Sequence, residues 1–278
     1  MASAADLAAH TAAGELAVRA LDKSYGEPPQ RKRVVAGCSF TLARGELVAM
    51  IGPSGCGKSS LVRLLAGFDH PDAGHIELDG RAITAPGRER LVLFQEAALF
   101  PWMTTYDNLL YGPQARGELT PQTRAFADVL LERVGLRAFA HKYPTQLSGG
   151  MQRRAELARA LINDPKVMLL DEPFRGLDAL TKELMWGFFA TLLAESKRTS
   201  LLVTTDIDEA LYLADRILIM ANLPTCVRAV IDVDLPRPRT PAELTSPRAT
   251  EIKRQALAWL TEEASRSFSK VLRPHRQA

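Results

Sequence analysis

The residues with the clearest capacity for chemistry lie in one short segment, Gly52-Pro53-Ser54-Gly55-Cys56-Gly57-Lys58-Ser59. It fits the pattern G-x-x-x-x-G-K-[ST], in which backbone N–H groups and the positive end of a helix dipole favour a polyphosphate. Lys58 would reach the β- and γ-phosphates, and the Ser59 hydroxyl would hold Mg²⁺. The candidate nucleotide-binding residues here are Gly52, Ser54, Gly55, Cys56, Gly57, Lys58, Ser59 and Ser60.

This segment lies between the two elements that its pattern requires. The apolar run Leu47–Ile51 predicts a buried strand before it, and residues 60–66 predict a helix after it. Glycines are needed because a Cβ would block close approach of the backbone to a phosphate. The alternative is a glycine-rich turn that binds nothing, and the two correct flanks make it the weaker interpretation.

A pair of carboxylates follows a second buried strand. Residues 167–170 are all apolar, and Asp171 and Glu172 come directly after them. Ligands of open α/β sheets gather at the carboxyl ends of strands. Asp171 is therefore placed to hold Mg²⁺ through water, and Glu172 to orient or deprotonate an attacking water. The alternative is a strand that ends in a polar turn, which Pro173 also favours.

A second anion nest is predicted at Leu147-Ser148-Gly149-Gly150, where a hydroxyl and two glycines open a helix that runs to about Leu161. The alternative for Ser148 is a simple helix N-cap. Two such nests in one chain suggest that each clamps one side of the same nucleotide. The second nest would then come from another subunit.

Composition narrows the class of protein. The 278 residues are 46% apolar and 24% charged, and the net charge of +3 implies no general polyanion-binding surface. The basic clusters lack the interleaved aromatics that stack on bases. Three scattered cysteines favour a reducing compartment over a disulfide framework. No apolar run approaches the ~18 residues that cross a bilayer, and the N-terminus lacks the pattern of a secretion signal.

The order of elements predicts an α/β fold. Strand-like segments, such as 16–18 and 38–42, alternate with helical ones, and a helical stretch at about 100–163 is interpreted as an insertion. Residues 1–14 are expected to form a flexible leader, and 15–235 the main domain. Residues 236–278 are expected to form a C-terminal extension, with one amphipathic helix at 251–263 and a basic tail at 270–278.

Together these motifs resemble the ATP-binding subunits of ABC transporters over about residues 16–260. The phosphate loop, the Leu-Ser-Gly-Gly signature at 147–150 and Asp171-Glu172-Pro173 occur in that family's order. The resemblance implies a P-loop NTPase core, the ABC nucleotide-binding domain, with an N-terminal antiparallel β subdomain and an inserted α-helical subdomain. It also implies an ATPase that uses ATP and Mg²⁺, with residues 148–150 acting across a dimer.

Three further segments take their roles only from this resemblance. Gln95 follows the strand at 91–94, as the family's Gln loop does, and would touch Mg²⁺ and the attacking water. Tyr25 occupies the place of the aromatic that stacks on adenine, and a half-buried packing tyrosine is the alternative. Gly176-Leu177-Asp178 resembles the loop that crosses the dimer interface, with Arg175 before it as a departure.

A finer similarity is to importers of the nitrate, sulfonate and taurine type, through residues 94–103, 107–108, 206–210 and 234–238. It implies import of a small anion and a head-to-tail homodimer or heterodimer of ATPase subunits that holds two ATP molecules. It also implies docking of the region at 95–111 onto a transmembrane permease, and an indirect link to a substrate-binding protein. The expected location is peripheral, on the cytoplasmic face of the inner membrane, without a nucleic-acid partner.

One position departs from the family. Thr205 stands where a His contacts the γ-phosphate, and none of the five His residues lies near this strand end. Losing one positioned transition-state donor costs ~10²–10³ in kcat, and a threonine hydroxyl donates only one uncharged hydrogen bond. Three outcomes stay open: Thr205 suffices, hydrolysis is slow and tightly coupled to transport, or a different ATPase subunit supplies a complete site.

Two other classes of protein compete with an importer ATPase. A nucleotide-sensing regulatory subunit that barely hydrolyses ATP is favoured by Thr205 alone. A soluble ABC-type ATPase acting on nucleic acid or ribosomes is disfavoured, because this chain has one cassette, no long coiled-coil insertion and modest charge. The retained Lys58, Glu172 and signature favour an active ATPase.

Overall fold

The computed structural model describes residues 13–272, which divide into two compact units. The loop unit comprises residues 14–86 and 199–272, and the helical unit comprises Gly87–Arg198. The strands are β1 (Leu16–Tyr25), β2 (Lys32–Leu42), β3 (Leu47–Ile51), β4 (Ala73–Leu78), β5 (Arg81–Ala82), β6 (Arg90–Leu93), β7 (Val167–Asp171), β8 (Thr199–Thr204), β9 (Arg216–Met220) and β10 (Val227–Asp232). The helices are α1 (Lys58–Ala66), α2 (Thr105–Ala115), α3 (Pro121–Arg133), α4 (Gly149–Leu161), α5 (Ala179–Ser196), α6 (Ile207–Leu213) and α7 (Pro247–Leu272).

An antiparallel sheet in the loop unit has the strand order β2-β1-β4-β5. β1 and β2 pair from Leu16 opposite Leu42 to Tyr25 opposite Lys32. The sequence predicts only the apolar ends of these strands, because polar residues occupy the end near the hairpin. The ladder continues there because backbone hydrogen bonds pair the strands whatever their side chains.

The parallel strands of the loop unit lead to the predicted phosphate loop. β3 lies between β8 and β9, and β10 pairs antiparallel with β9. All five residues of β3 are buried, as its continuous apolar sequence predicts. β10 was not predicted, because its exposed positions include Arg228 and Asp232 and its apolar pattern is short.

The helical unit contains β6 and β7, which run parallel with Leu93 opposite Leu170. The stretch predicted to be helical holds α2, α3 and α4, with 3-10 turns at Arg137–Phe139 and Pro144–Gln146. Leu109, Leu130 and Leu157, one from each helix, are fully buried. Apolar contacts among these helices therefore provide a core for this region.

The C-terminal helix is longer than the sequence predicts. The expected range was 251–263, whereas α7 extends over Pro247–Leu272 and so includes the first residues of the predicted basic tail. Proline is tolerated in the first turn of a helix, so Pro247 begins α7 rather than preventing it. The remaining tail and most of the predicted leader lie outside the described residues. Within 13–272, no helix is both long and apolar enough to span a bilayer.

Candidate nucleotide-binding site

The glycine-rich segment connects the end of β3 to the start of α1, as predicted. Gly57 precedes α1, and no side chain caps this helix. By contrast, a side-chain oxygen caps each of the helices from α2 to α6. The first N–H groups of a helix lack intrahelical partners. The start of α1 is therefore suited to an external anion.

Two glycines of this loop have backbone conformations that L side chains rarely adopt. Gly57 has φ +109°, and a Cβ there would lie 2.9 Å from Val34 Cγ1. Gly55 has φ +74° with nothing within 4 Å of a Cβ position, so its constraint is conformational rather than steric. These residues allow the backbone to turn its N–H groups towards one point.

Lys58 lies inside the loop rather than in solvent. Its side chain folds back so that Nζ donates to Gly52 O at 2.7 Å and to Pro53 O at 3.0 Å, and the residue is 5% exposed. Both of these acceptors are neutral carbonyls, so the two contacts do not neutralise the positive charge of Lys58. A buried ammonium beside an uncapped helix start fits a polyphosphate.

Cys56 occupies the interior of the same loop. Its side chain is fully buried, and burial raises the pKa of the thiol above its usual value, with Lys58 opposing that shift. The protonated thiol is therefore the form present at neutral pH. Ser59 is exposed on the first turn of α1 and Ser60 is half-buried, so a hydroxyl is available next to the lysine.

Thr205 emerges at the same sheet edge as the loop. In the parallel ladder, Thr204 lies opposite Ile51, so the next residues, Thr205 and Gly52, leave adjacent strands at their carboxyl ends. Thr205 is exposed, and Asp206 caps α6 by accepting from the N–H groups of Asp208 and Glu209. The structure thus brings Thr205 to the neighbourhood of the loop, and its role in place of the His stays a prediction.

Tyr25 is tethered by residues that the sequence did not single out. Its hydroxyl donates to Asp69 at 2.7 Å, and Lys23 Nζ lies 2.6 Å from the same carboxylate. Burial, followed by the hydrogen bond to Asp69, raises the pKa of Tyr25 to about 12. The side chain is half-buried, so the ring has a fixed hydroxyl and a partly accessible body. Long-range contacts of this kind leave no local sequence signal.

In the helical unit, the two predicted carboxylates lie at the carboxyl end of β7. Asp171 ends the strand, and Glu172 adopts φ +45°, which is unusual for a residue with a side chain. Arg175 Nη1 donates to Glu172 Oε2 at 3.0 Å. The arginine that departs from the family's sequence therefore contacts the carboxylate predicted to deprotonate the attacking water. A strained backbone at such a position costs about 1–3 kcal/mol and is characteristic of functional sites.

Gln95 lies in an exposed loop after β6, where the sequence places it. Its main-chain carbonyl accepts a hydrogen bond from Arg153 on α4. Glu156, one turn further along α4, accepts from the Ala98 N–H. Neither Arg153 nor Glu156 was predicted, since a charge inside an amphipathic helix is usually exposed to solvent.

The Ser148 segment has the N-cap geometry that was the alternative for it. Ser148 Oγ accepts from the Met151 N–H at 3.3 Å, and the residue is exposed. A Cβ on Gly150 would lie 3.3 Å from Thr181 Cγ2, so glycine there permits close packing. The cap leaves a hydroxyl and the helix start accessible on the surface of the helical unit.

The predicted magnesium ligands are Ser59, Gln95 and Asp171, which offer the oxygen donors that Mg²⁺ prefers. Among residues 13–272, no three His, Cys, Asp or Glu side chains cluster as a metal site. A Mg²⁺ bound mainly by phosphates and water needs only one or two protein ligands, so the lack of such a cluster does not conflict with that ion.

A glycine-rich loop that joins a buried strand to an uncapped helix, with a lysine folded into it, defines a P-loop nucleotide-binding protein. Residues 35–175 match the family described as ABC transporter. The chain therefore belongs to the ABC transporter family, and it is an ATPase of that family.

Curated relatives cover most of the chain. The aliphatic sulfonates import ATP-binding protein SsuB of Bacillus licheniformis is 40% identical, over 87% of this chain and 92% of its own length. The nitrate import ATP-binding protein NrtD of Synechococcus elongatus is 40% identical over 86% and 88%. The taurine import ATP-binding protein TauB of Pseudomonas aeruginosa is 41% identical over 80% and 84%. These similarities confirm the predicted family.

Solved structures agree with the fold. A dimeric structure of the ABC transporter cassette MJ0796 has a TM-score of 0.67 and 26% identity, covering 78% of this chain and 98% of that chain. A dimeric post-hydrolysis state of MJ0796 with ADP and Pi gives 0.66 at the same identity and coverage. The predicted fold class is therefore confirmed.

Proposed function

We propose that this chain binds and hydrolyses ATP to power an importer for a small anion, such as nitrate, a sulfonate, taurine or a related organic acid. The observation that carries the ATP-binding part is the uncapped start of α1 beside Lys58, whose ammonium donates to Gly52 O and Pro53 O and lies 3.9 Å from the Cys56 sulfur. The import of an anion is supported by the relatives' names.

The loop unit supplies the grip on the nucleotide. Backbone N–H groups of the loop would bind the phosphates, and Lys58 would exchange its carbonyl contacts for the β- and γ-phosphates. Tyr25, held by Asp69, would present its ring to the adenine. The hydroxyl of Thr205, at the end of the adjacent strand, would donate a hydrogen bond to the γ-phosphate. The remaining proposed contacts with the nucleotide come from Gly52, Ser54, Gly55, Cys56, Gly57, Ser59 and Ser60.

The helical unit supplies the groups for hydrolysis. Glu172 would accept the proton of the attacking water, and Gln95 would orient that water. Asp171, Gln95 and Ser59 would hold Mg²⁺, which neutralises charge on the phosphate oxygens. Ser148, Gly149 and Gly150 would bind the γ-phosphate of the nucleotide in a facing subunit. Two ATP molecules would then join two subunits head to tail, as a homodimer or with a different ATPase chain.

A cavity in the helical unit supports docking onto a permease. It has a volume of about 430 Å³, and its lining includes Phe94, Phe100, Tyr111 and Arg159. The ring centroids of Phe100 and Tyr111 lie 4.6 Å apart, and the nearby Trp102 is 69% exposed. An exposed aromatic patch of this kind is typical of protein interfaces. Contact with a permease would place the chain at the cytoplasmic face of the inner membrane.

We also assign residues 15–235 to the ATPase domain and 236–278 to an extension of it. Within the extension, Lys253 Nζ on α7 lies 2.7 Å from Asp208 on α6. Arg239 donates to the carbonyls of Leu211 and Ala214 at the end of α6. The extension therefore braces the helix that follows Thr205.

The experiment is co-expression of the chain with candidate permease and substrate-binding proteins from the same genome. ATP hydrolysis by the purified assembly in vesicles is measured with and without nitrate, taurine and an alkanesulfonate. Stimulation of phosphate release by one of these anions, with uptake of that anion, supports the proposal. ATP binding with no phosphate release above background would favour the regulatory alternative, which Thr205 motivates. Hydrolysis without a co-purifying membrane partner would contradict the role in transport.

A further inference from the structure

We propose that Arg153 and Glu156 are positioning residues for Gln95, and that they tie its loop to the helix that begins after Ser148. Both lie on α4, where they face the loop between β6 and α2. This inference rests on the proposed role of Gln95 in the hydrolysis of ATP. It adds two residues that have no assigned part in the reaction.

The two side chains hold the first part of this loop, on both sides of residues 96 and 97. Arg153 Nη1 donates to Phe94 O at 2.7 Å, and Nη2 donates to the main-chain carbonyl of Gln95. Glu156 Oε1 accepts from the Ala98 N–H at 2.5 Å. All three partners are main-chain groups, so the contacts fix the path of the backbone that carries the Gln95 side chain.

Arg153 and Glu156 together form an anchor for the Gln95 loop, and their burial makes this anchor selective for one conformation of the loop. The Arg153–Glu156 ion pair has an N–O distance of 2.7 Å, and the side chains are 6% and 2% exposed. The loop residues 94–98 are themselves exposed. A buried ion pair is tolerated when its remaining hydrogen-bonding capacity is satisfied, and here the loop backbone satisfies it. Movement of the loop away from α4 would leave two buried charges with unfilled hydrogen bonds.

The anchor links two predicted functional segments through one rigid element. Ser148 caps the helix on which Arg153 and Glu156 lie, so a shift of the helix start carries the Gln95 backbone with it. Ser148 is proposed to contact the nucleotide of the facing subunit, whereas Gln95 is proposed to serve the chain's own site. The anchor would therefore make hydrolysis in one site depend on the arrangement of the other.

The test uses the full chain in its purified assembly. Loss of Arg153 alone would leave Glu156 as an uncompensated buried charge, so the variant is the double substitution Arg153→Met/Glu156→Leu, which replaces the buried ion pair by apolar side chains. The matched control is Arg154→Gln on the same helix, because Arg154 Nη1 donates to Val134 O at 2.8 Å instead of to the Gln95 loop. Each change is also made in a Gln95→Ala background.

Three readouts separate positioning from a structural role. We expect the double variant to lower kcat by about 10- to 100-fold, as loss of outer-shell partners commonly does, with the Kd for ATP unchanged. The amides of residues 95–98 should exchange hydrogen faster in its nucleotide-free form, and Arg154→Gln should change neither quantity. In the Gln95→Ala background, the double variant should cause no further loss in single-turnover hydrolysis.

The proposal is overturned if the folded double variant hydrolyses ATP at the wild-type rate. It is also overturned if the same loss persists in the Gln95→Ala background, because the pair would then act independently of Gln95. Failure of wild-type protein to bind or hydrolyse ATP would instead refute the proposed function. In that case hydrogen exchange at 95–98 would still decide whether the pair anchors the loop.

Discussion

Arg175 Nη1 donates to Glu172 Oε2 at 3.0 Å, so the residue that departs from the family contacts the residue proposed as the catalytic base. The arginine side chain is 61% exposed and the glutamate 17% exposed. Glu172 is thus engaged by a cation whose side chain is mostly exposed to solvent. A general base needs an oxygen within hydrogen-bond reach of the water, and here Arg175 competes with water for Oε2.

Removal of that cation should leave the fold intact and speed hydrolysis. An exposed ion pair contributes about 0–1 kcal/mol, so Arg175→Gln should alter the free energy of unfolding by no more than this. The same amount, removed from the activation barrier, corresponds to an increase in kcat of up to about fivefold. Phosphate release and thermal unfolding of the variant are the measurements. A lower kcat would mean that Arg175 assists the reaction.

Glu172→Gln should keep ATP bound and stop its turnover. The amide has nearly the shape of the carboxylate but cannot act as a base, and general base catalysis contributes about 10²–10⁴-fold. We expect kcat to fall by at least about 100-fold, while ATP persists on the protein after gel filtration. Glu183→Gln, an exposed residue on α5, is the control. Undiminished hydrolysis by Glu172→Gln would remove this residue from its proposed role.

Thr205→His should raise the rate of hydrolysis. One positioned donor is worth about 10²–10³ in kcat, and the threonine hydroxyl recovers part of this, so we expect a gain of about tenfold or more. Thr205→Ala should lower kcat, since the remaining donor is lost. Both variants are compared by steady-state phosphate release at saturating ATP. If the histidine variant is no faster than wild type, Thr205 already suffices and hydrolysis has no deficit at this position.

Alkylation of Cys56 should be slow at neutral pH and become faster as pH rises. Burial raises the pKa of this thiol, and the thiolate is the reactive form, so the reactive fraction grows only above the usual range for cysteine. Mass spectrometry after treatment with N-ethylmaleimide should show the half-exposed Cys226 modified first. ATP should protect Cys56 if the loop holds phosphate. Rapid, pH-independent labelling of Cys56 would contradict the buried position.

The sequence predicted those parts of the site whose residues are contiguous in the chain. The strand, glycine-rich turn and helix around Lys58 are local, so spacing and apolar runs define them. The order of these motifs also led to the family, which is confirmed, whereas the roles of individual site residues remain predictions. Contacts between distant residues could not be predicted in this way. Arg153 with the Gln95 loop and Tyr25 with Asp69 join segments far apart in the chain, and periodicity carries no information about them.

Two features were missed for conformational reasons. The left-handed backbone of Glu172 depends on the turn after β7, and a non-glycine residue gives no sign of it in the sequence. The earlier start of α7 depends on packing within the loop unit, where Ala249 is fully buried, rather than on helix propensity at this end.

Retention of labelled ATP by Lys58→Ala is the most direct test of ATP binding by the loop. The wild-type chain, Lys58→Ala and the control Lys142→Ala, an exposed lysine in the helical unit, are compared by filter binding with ATP and Mg²⁺. Loss of a charge-assisted contact to phosphate is worth about 1.5–3 kcal/mol, so Lys58→Ala should weaken binding by at least about tenfold while the control binds normally. Equal retention by Lys58→Ala and wild type would contradict the account.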